Sequence, residues 1–281
     1  MEKFTDLHTH STASDGTFTP TEVAKLGKAA GLSSMALTDH DTVEGLDEFM
    51  AAGEKIGLET IPGIELAAAY KNTELHIVGL FIDRKNPELL RQMDYIVNER
   101  NERNKKMIAM LCRLGMEITI EELEENAGGS IITRAHYANV LMNKGYVKTR
   151  AEAFDKYIST GKPGYVKRET LTPKESIELI RKAGGVPILA HSTLYGFNYL
   201  EIHNIVGELK GYGLMGMETM YSTYTPKQSE EIRKICEYYK LLKSGGSDFH
   251  GLNKPDIKVA VGRGNLRIPQ EFAEKMKDIL K

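Results

Sequence analysis

The sequence has little cysteine. It holds only Cys112 and Cys236 and has no CxxC pair, which excludes a structural zinc ribbon and reads as two reduced, partly buried thiols. It also lacks a basic surplus. The formal net charge is −2, whereas proteins that live on long nucleic acid carry clustered excess positive charge. A small or short substrate is therefore expected, and no long duplex nucleic acid. No apolar run approaches the ~20 residues of a membrane helix, so no membrane partner is expected. The segment Met1-Glu2-Lys3-Phe4-Thr5-Asp6 has no basic-then-apolar signal pattern, and the expected location is the cytoplasm. No short-period repeat or low-complexity segment interrupts the chain. What remains is ordinary for a globular protein: 281 residues, 41% hydrophobic and 27% charged. That suits one domain of barrel size or a core domain carrying an insertion.

The first ninety residues alternate strand and helix. Phe4 to Leu7 reads as a short strand. Thr19-Pro20-Thr21-Glu22 opens a helix with a capping box and a proline at the first helical position, and Gly31 stops it. Ser34 to Leu37 is the next strand, and Val43 to Lys55 a helix ending at Gly57. Thr60 to Leu66 and Leu75 to Phe81 read as two more strands, giving a β-α-β-α rhythm of parallel strands joined by helices. Residues 88–164 then show no convincing strand. Glu88 to Leu114 is one long helical segment whose middle, residues 98–106, is entirely polar and reads as a solvated face. Helices over Thr119 to Asn126 (stopped by Gly128-Gly129), over Thr133 to Asn143, and from Thr149 follow it. The rhythm returns with a helix from Thr172, strands Val186 to Ala190, Leu214 to Met220 and Leu241 to Ser247, and helices at Tyr199 to Tyr212 and from Thr225. The expected fold is α/β: a distorted seven-stranded β/α barrel over residues 1–87 and 165–281, interrupted by a helical subdomain over 88–164. A barrel is favoured over an open sheet because its strands present their C-terminal ends to one mouth.

Chemistry gathers at that mouth. Six of the eight histidines lie beside strand ends, five of them at or just past the C-terminal end: His8 and His10, with Asp15 beyond them; His40, within Thr38-Asp39-His40-Asp41; His191, in Ala190-His191-Ser192; and His250, in Gly246-Ser247-Asp248-Phe249-His250. Strand three leads to Gly63-Ile64-Glu65. His76 breaks the pattern by sitting near the start of its strand. Imidazole and carboxylate together suit Zn²⁺, Mn²⁺ and Fe²⁺. An HxH on an extended chain puts both rings on one face, so His8 and His10 can share an ion, and Asp248 with His250 repeats the arrangement. A carboxylate such as Glu65 can bridge two ions. His203, inside a helix and outside the pattern, reads as structural.

Taken together and in this order, these motifs resemble the polymerase and histidinol phosphatase (PHP) superfamily over nearly the whole chain. The resemblance implies a seven-stranded distorted barrel holding two or three divalent ions of Mn²⁺, Fe²⁺ or Zn²⁺. By motif, His8, His10, Glu65 and Asp248 would hold the first ion, Glu65, His76 and His191 the second, and Asp15, His40 and His250 the third. Asp15, His40, His191, Asp248 and His250 would also serve catalysis. Relatives often have proline after the fifth-strand histidine where this chain has Ser192. Within the superfamily, Thr133-Arg134-Ala135-His136 and Gly161-Lys162-Pro163-x-Tyr165-Val166 resemble the branch with a small insertion, whose members are nucleoside 3′,5′-bisphosphate phosphatases or exonucleases trimming short RNA from its 5′ end.

The insertion supports this independently. Thr133 caps a helix whose first amides can take an anion, Arg134 adds a bidentate fork, and His136 another donor. Lys162 is a further substrate-binding candidate, and Arg168 a weaker one. Asp39 and Asp41 are candidates for orienting ligand imidazoles, and Glu218 for supporting the site. The expected reaction is phosphomonoester hydrolysis by metal-activated hydroxide, with a nucleotide or short RNA as substrate. Three rival readings are a phosphatase of a histidinol-phosphate-like metabolite, a metal-binding PHP module without turnover, and a nucleic-acid-processing domain in a larger assembly.

Overall fold

The computed structural model describes residues 2–128, 132–167 and 170–281. Arg168, and Gly129 of the expected helix stop, lie outside them. Eight strands form one sheet in the order β7-β6-β5-β4-β3-β2-β1-β8. They are β1 (Phe4–Asp6), β2 (Ser34–Leu37), β3 (Glu59–Tyr70), β4 (Thr73–Leu80), β5 (Val186–Leu189), β6 (Gly216–Tyr221), β7 (Leu242–Gly246) and β8 (Ile268–Pro269). The sheet curls until its ends meet. Leu7 N donates to Gly245 O at 3.2 Å, Asp248 N to His8 O at 2.8 Å and His10 N to Phe249 O at 2.9 Å. β8 lies antiparallel to the start of β1. The result is a nearly closed β/α barrel, with β8 as one strand beyond the seven expected.

The helices that wrap it are α1 (Pro20–Ala29), α2 (Leu46–Ile56), α7 (Pro173–Lys182), α8 (Tyr199–Tyr212), α9 (Pro226–Tyr238) and α10 (Glu271–Asp278). Full capping boxes start α1, α7, α8 and α9, as Thr19, Thr172, Asn198 and Thr225 each accept from the third helical amide. α2 begins three residues later than expected because Asp41 takes a left-handed φ of 53° and Gly45 becomes the cap. No described helix is long and apolar enough to cross a membrane.

One connection departs from the expected rhythm. β3 and β4 form an antiparallel hairpin, turned at Lys71, whose φ is +52°. No helix separates them, so β4 runs away from the mouth rather than toward it. This explains the odd position of His76. On a strand running downward, the mouth end is the beginning. Side chains alternate along each strand, so Gly63, Glu65 and Ala67 on β3 stand beside Leu80, Val78 and His76 on β4, rising from interior to rim.

Inside the barrel, Leu7, Ala36, Ile61, Val78, Leu80, Val186 and Ile188 pack together, and Ala273 and Met276 of α10 seal the bottom. A larger layer, including Met35, Phe49, Ile77, Ile180 and Met217, lies between sheet and helices. A third cluster belongs to the insertion: α3 (Pro87–Arg113), α4 (Ile120–Ala127), α5 (Arg134–Asn143) and α6 (Arg150–Ala153), which runs into a π-helical turn at Phe154–Ile158. Met107, Leu111, Leu123, Tyr137 and Leu141 are its centre. α3 serves both bodies, since its first half sends Leu89, Met93 and Ile96 into the barrel layer. Between the two apolar stretches lie Arg100, Arg103 and Asn104, all buried. The polar middle of α3 therefore has two sides: Asn98, Asn101, Glu102, Lys105 and Lys106 are exposed, as expected of a solvated face, while Arg100, Arg103 and Asn104 are turned inward. It is the seam where the helix crosses over the barrel mouth.

The seal between β7 and β1 leaves no room for a side chain at Gly246. A Cβ there would stand 2.1 Å from His8 Cβ and 2.7 Å from His8 N. Gly246→Ala should cost about 1–3 kcal/mol, the range of overpacked cores, and should shift His8. Thermal denaturation checks the first effect and metal binding the second. An alanine variant with unchanged melting temperature and metal affinity would contradict this account of closure.

Candidate metal centre

Nine residues expected from the motifs meet at the mouth. Glu65 is the hub and is fully buried. Its Oε1 lies 2.8 Å from His76 Nδ1 and 2.9 Å from His191 Nε2. Its Oε2 lies 3.2 Å from His8 Nε2, 3.2 Å from His10 Nε2 and 3.1 Å from His40 Nδ1. Asp248 Oδ1 is 3.3 Å from both His10 Nε2 and His250 Nδ1. Asp15 Oδ1 is 3.2 Å from His250 Nε2 and 3.9 Å from His40 Nε2.

Four overlapping groups offer donor atoms within 4.8 Å of one another: His10, Asp15, His40 and His250; His8, Glu65 and His191; His8, His10 and Asp248; and His40, Glu65 and His76. Two local features fit this donor set to cations. His8 Nε2 faces His10 Nε2 at 3.0 Å, while His8 Nδ1 contacts Glu218 Oε1 at 2.7 Å. In the neutral ring that bond keeps the proton on Nδ1 and leaves Nε2 as a lone pair aimed at another ring nitrogen. Glu65 Oε2, moreover, is buried with no hydrogen-bond partner among the described residues. A bare carboxylate oxygen among imidazole nitrogens is costly unless positive charge sits there.

The titration behaviour has the same origin. Burial alone raises a carboxyl pKa, yet the imidazoles around Asp15 and Glu65, and Lys254 beside Asp248, hold all three well below the usual range. Burial lowers an imidazole pKa, but carboxylates outweigh it for His8, which lies well above its ordinary value, for His10 at about 9 and for His76 at about 10. Burial wins at His40, driven down to about 3. The pocket is thus built of ionised carboxylates that demand positive charge, as protons or as metal.

The backbone is strained to make this cluster. Asp41, His191 and Asp248 have φ of 53°, 26° and 56°, and each such residue costs about 1–3 kcal/mol. All three sit just past strand ends, where the chain must turn a donor or its support inward.

The supports are partly unexpected. Glu218 is buried, takes His8 Nδ1 on one oxygen and accepts from the His191 amide at 2.7 Å on the other. It fixes two of the clustered imidazoles at once. Tyr221 and Lys254 each bond Asp248 Oδ2 at 2.5 Å, which leaves Oδ1 toward the cluster. Glu218 and Tyr221 are three apart, and strict alternation would put them on opposite faces. A bulge between Glu218 and Met220 resets the phase, so periodicity could not have found Tyr221. Asp39 departs from its expected role. It accepts from Ser11 N, Ser11 Oγ and Ser14 Oγ, and so fixes the loop after β1 rather than an imidazole. Asp41 binds the Ala67 amide and pairs with Arg100. His203 stays outside, packed on Tyr238 and Tyr239.

A cleft of about 150 Å³ opens from the cluster toward the insertion. Asp15, His40 and His76 line one side, and Arg100, Arg103, Thr133 and Arg134 line the other. Arg134 pairs with Glu74 at 3.1 Å and lies 5.7 Å over the Tyr165 ring. Of the other expected substrate residues, His136 is buried below the start of α5, where its Nδ1 accepts from Thr133 N at 3.1 Å. It caps the helix rather than lining the cleft. Lys162 is exposed and away from the cleft wall.

The comparisons with known proteins follow this geometry. A PHP domain is matched over residues 6–242. The chain belongs to the PHP family. It is 34% identical over 250 residues to a 5′-3′ exoribonuclease of Haemophilus influenzae, covering 89% of this chain and 91% of that one. It is 32% identical over 246 residues to a 3′,5′-nucleoside bisphosphate phosphatase of Chromobacterium violaceum, covering 87% and 86%. A crystal structure from Bifidobacterium adolescentis, described as a metal-dependent phosphoesterase on assignment, superposes with a TM-score of 0.85 at 28% identity, over 98% of this chain and 95% of that one. The barrel and its family, both read from the motifs, agree with these similarities.

Two measurements test the PHP site. Glu218→Gln removes the second charge behind His8 and should weaken Mn²⁺ affinity about 10–100-fold, the usual effect of losing a partner that orients a ligand; titration calorimetry reads it, and unchanged affinity would remove Glu218 from the site. His136 is held below its ordinary pKa first by burial. A histidine with a lowered folded pKa gives stability that is present above the unfolded value of about 6.5 and fades as pH falls through the folded one. The protein should therefore lose stability on acidification below about pH 6.5. His136→Gln keeps a capping acceptor and should flatten that part of the profile; an unaltered slope would show that His136 does not carry it.

Proposed function

We propose that this protein removes a phosphate from a nucleotide that bears a second phosphate, a nucleoside 3′,5′-bisphosphate first and the 5′ end of short RNA next. As a PHP protein it is a metal-dependent hydrolase of phosphate esters. The observation that carries the finer reading is the two-sided cleft, with a cation-demanding donor cluster on one wall and three arginines on the other. A substrate with one phosphate and an amine would set its cationic amine against that arginine wall, a like-charge contact that disfavours a histidinol-phosphate-like metabolite. The overlap of the donor groups through Glu65 and His10 favours two or three ions, and the donors suit Mn²⁺, Fe²⁺ or Zn²⁺ alike.

His8, His10, Asp15, His40, Glu65, His76, His191, Asp248 and His250 would hold the ions. When bound, divalent cations supply Lewis-acid stabilisation of phosphoryl oxygens and a water acidic enough to ionise near neutral pH. The chain's own residues set the geometry. Arg134 and the first amides of α5 grip the phosphate that is not cleaved, residues 88–164 form the wall facing the metals, and Arg100 and Arg103 add positive field in a site shielded from water. Glu218, Tyr221 and Lys254 keep the donor atoms aimed. The names of two relatives support the substrate class.

A phosphomonoester panel with Mn²⁺, Fe²⁺ and Zn²⁺ tests this. Turnover should be highest on the bisphosphate and should vanish on metal stripping and in His8→Ala. Arg134→Ala should lower kcat/KM for the bisphosphate about tenfold, the value of a charged hydrogen bond, and much less for a nucleoside monophosphate. Undiminished hydrolysis after both stripping and His8→Ala would end the metal reading. Preference for a phosphorylated amine would end the nucleotide reading.

A further inference from the structure

A second cavity, of about 230 Å³, adjoins the first. It is lined by Lys71, Asn72, Thr73, Glu74, Tyr165 and Lys167, among others. The two cavities share Glu74, which also stands 3.6 Å from His76 Nε2. The wall between them is Arg134, paired with Glu74 and set over the Tyr165 ring. The second cavity therefore begins one side chain from the donor cluster.

Its lining has two chemistries. Tyr165 is half-buried and offers a ring in reach of a flat group. Lys71 and Lys167 are exposed cations at the outer edge. Lys71 is held there by the hairpin turn, with its ammonium 5.0 Å from the Tyr70 ring. An aromatic platform followed by lysines is the combination that binds single-stranded nucleic acid without reading its sequence. A free nucleotide filling the first cleft has no use for either lysine.

We infer that this second cavity is the subsite for the next nucleotide of a single-stranded oligonucleotide, its base against Tyr165 and its phosphodiester at Lys71 and Lys167. The inference rests on the phosphomonoesterase reading above and extends it from a mononucleotide to a short chain. The hairpin tip forms one bank of the trough, and Thr160, Tyr165, Lys167 and Thr170 form the other. Asn72, Thr73, Thr160 and Thr170 supply neutral hydrogen-bonding groups along it.

The test uses the metal-loaded full chain and two probes, a nucleoside 3′,5′-bisphosphate and a 5′-phosphorylated RNA tetranucleotide. In the Lys71→Ala/Lys167→Ala variant, kcat/KM for the tetranucleotide should fall about tenfold at physiological salt, and its log–log salt slope should flatten by about 0.7, one single-strand phosphate. Turnover of the bisphosphate should stay within about twofold, since neither lysine lines the first cleft. Equal losses on both probes, or no loss on the tetranucleotide, would overturn the subsite. Wild-type protein that cleaves the bisphosphate but not the tetranucleotide also overturns it and leaves the bisphosphate part of the proposed function standing. Cleavage of neither overturns both.

Discussion

The structure turns on the charge of one buried carboxylate. Glu65 is fully buried, and five imidazoles converge on its two oxygens. A carboxylate in that position costs several kcal/mol unless opposite charge reaches it. The barrel provides that charge by geometry. Strand ends from six parts of the chain point to one mouth, so rings distant in sequence are neighbours in space. The strained backbone at Asp41, His191 and Asp248 is tolerated because sheet and layer packing over-determine it. A loop-built site would relax such strain; a closed barrel cannot.

Much of this was legible in the chain. Histidines and acids at successive strand ends, with caps such as Thr19 and Thr172 marking the helices, disclosed both barrel and donor set. Local signals carried those readings, since a cap or a strand end depends on a few neighbouring residues. What escaped depends on tertiary phase. β8 is two residues long and α10 follows it with no motif. The β3–β4 hairpin turns on Lys71 rather than on a glycine, so nothing announced that β4 reverses. Tyr221 needs a bulge to face the site, and Lys254 reaches Asp248 from a loop six residues on. Arg100 and Arg103 were hidden by their setting, because a polar run on a long helix resembles a solvated face until a second body covers it.

That second body is fastened by arginines. Arg100 pairs with Asp41 beyond β2, Arg134 with Glu74 on β4, and Arg150 with Asn253 beyond β7, whose side chain donates to Asp15 O at 2.7 Å. Each bond ends within two residues of a member of the donor cluster or on a residue that touches one. The insertion is therefore registered against the donor cluster itself rather than against the outside of the barrel, so the two walls of the cleft keep a fixed separation.

The three fastenings differ in burial, and the difference sorts their roles. Arg100 and Asp41 are both buried, and breaking such a pair strands a charge, at about 3–5 kcal/mol. That bond is structural and will not open for a ligand. Arg134 and Glu74 are each more than a quarter exposed, in the regime where a pair contributes about 0–1 kcal/mol. A phosphate arriving in the cleft brings more charge than the carboxylate and can take the guanidinium at little cost. Under the proposed function the same arginine would exchange Glu74 for a substrate phosphate, while Arg100 holds the wall in place.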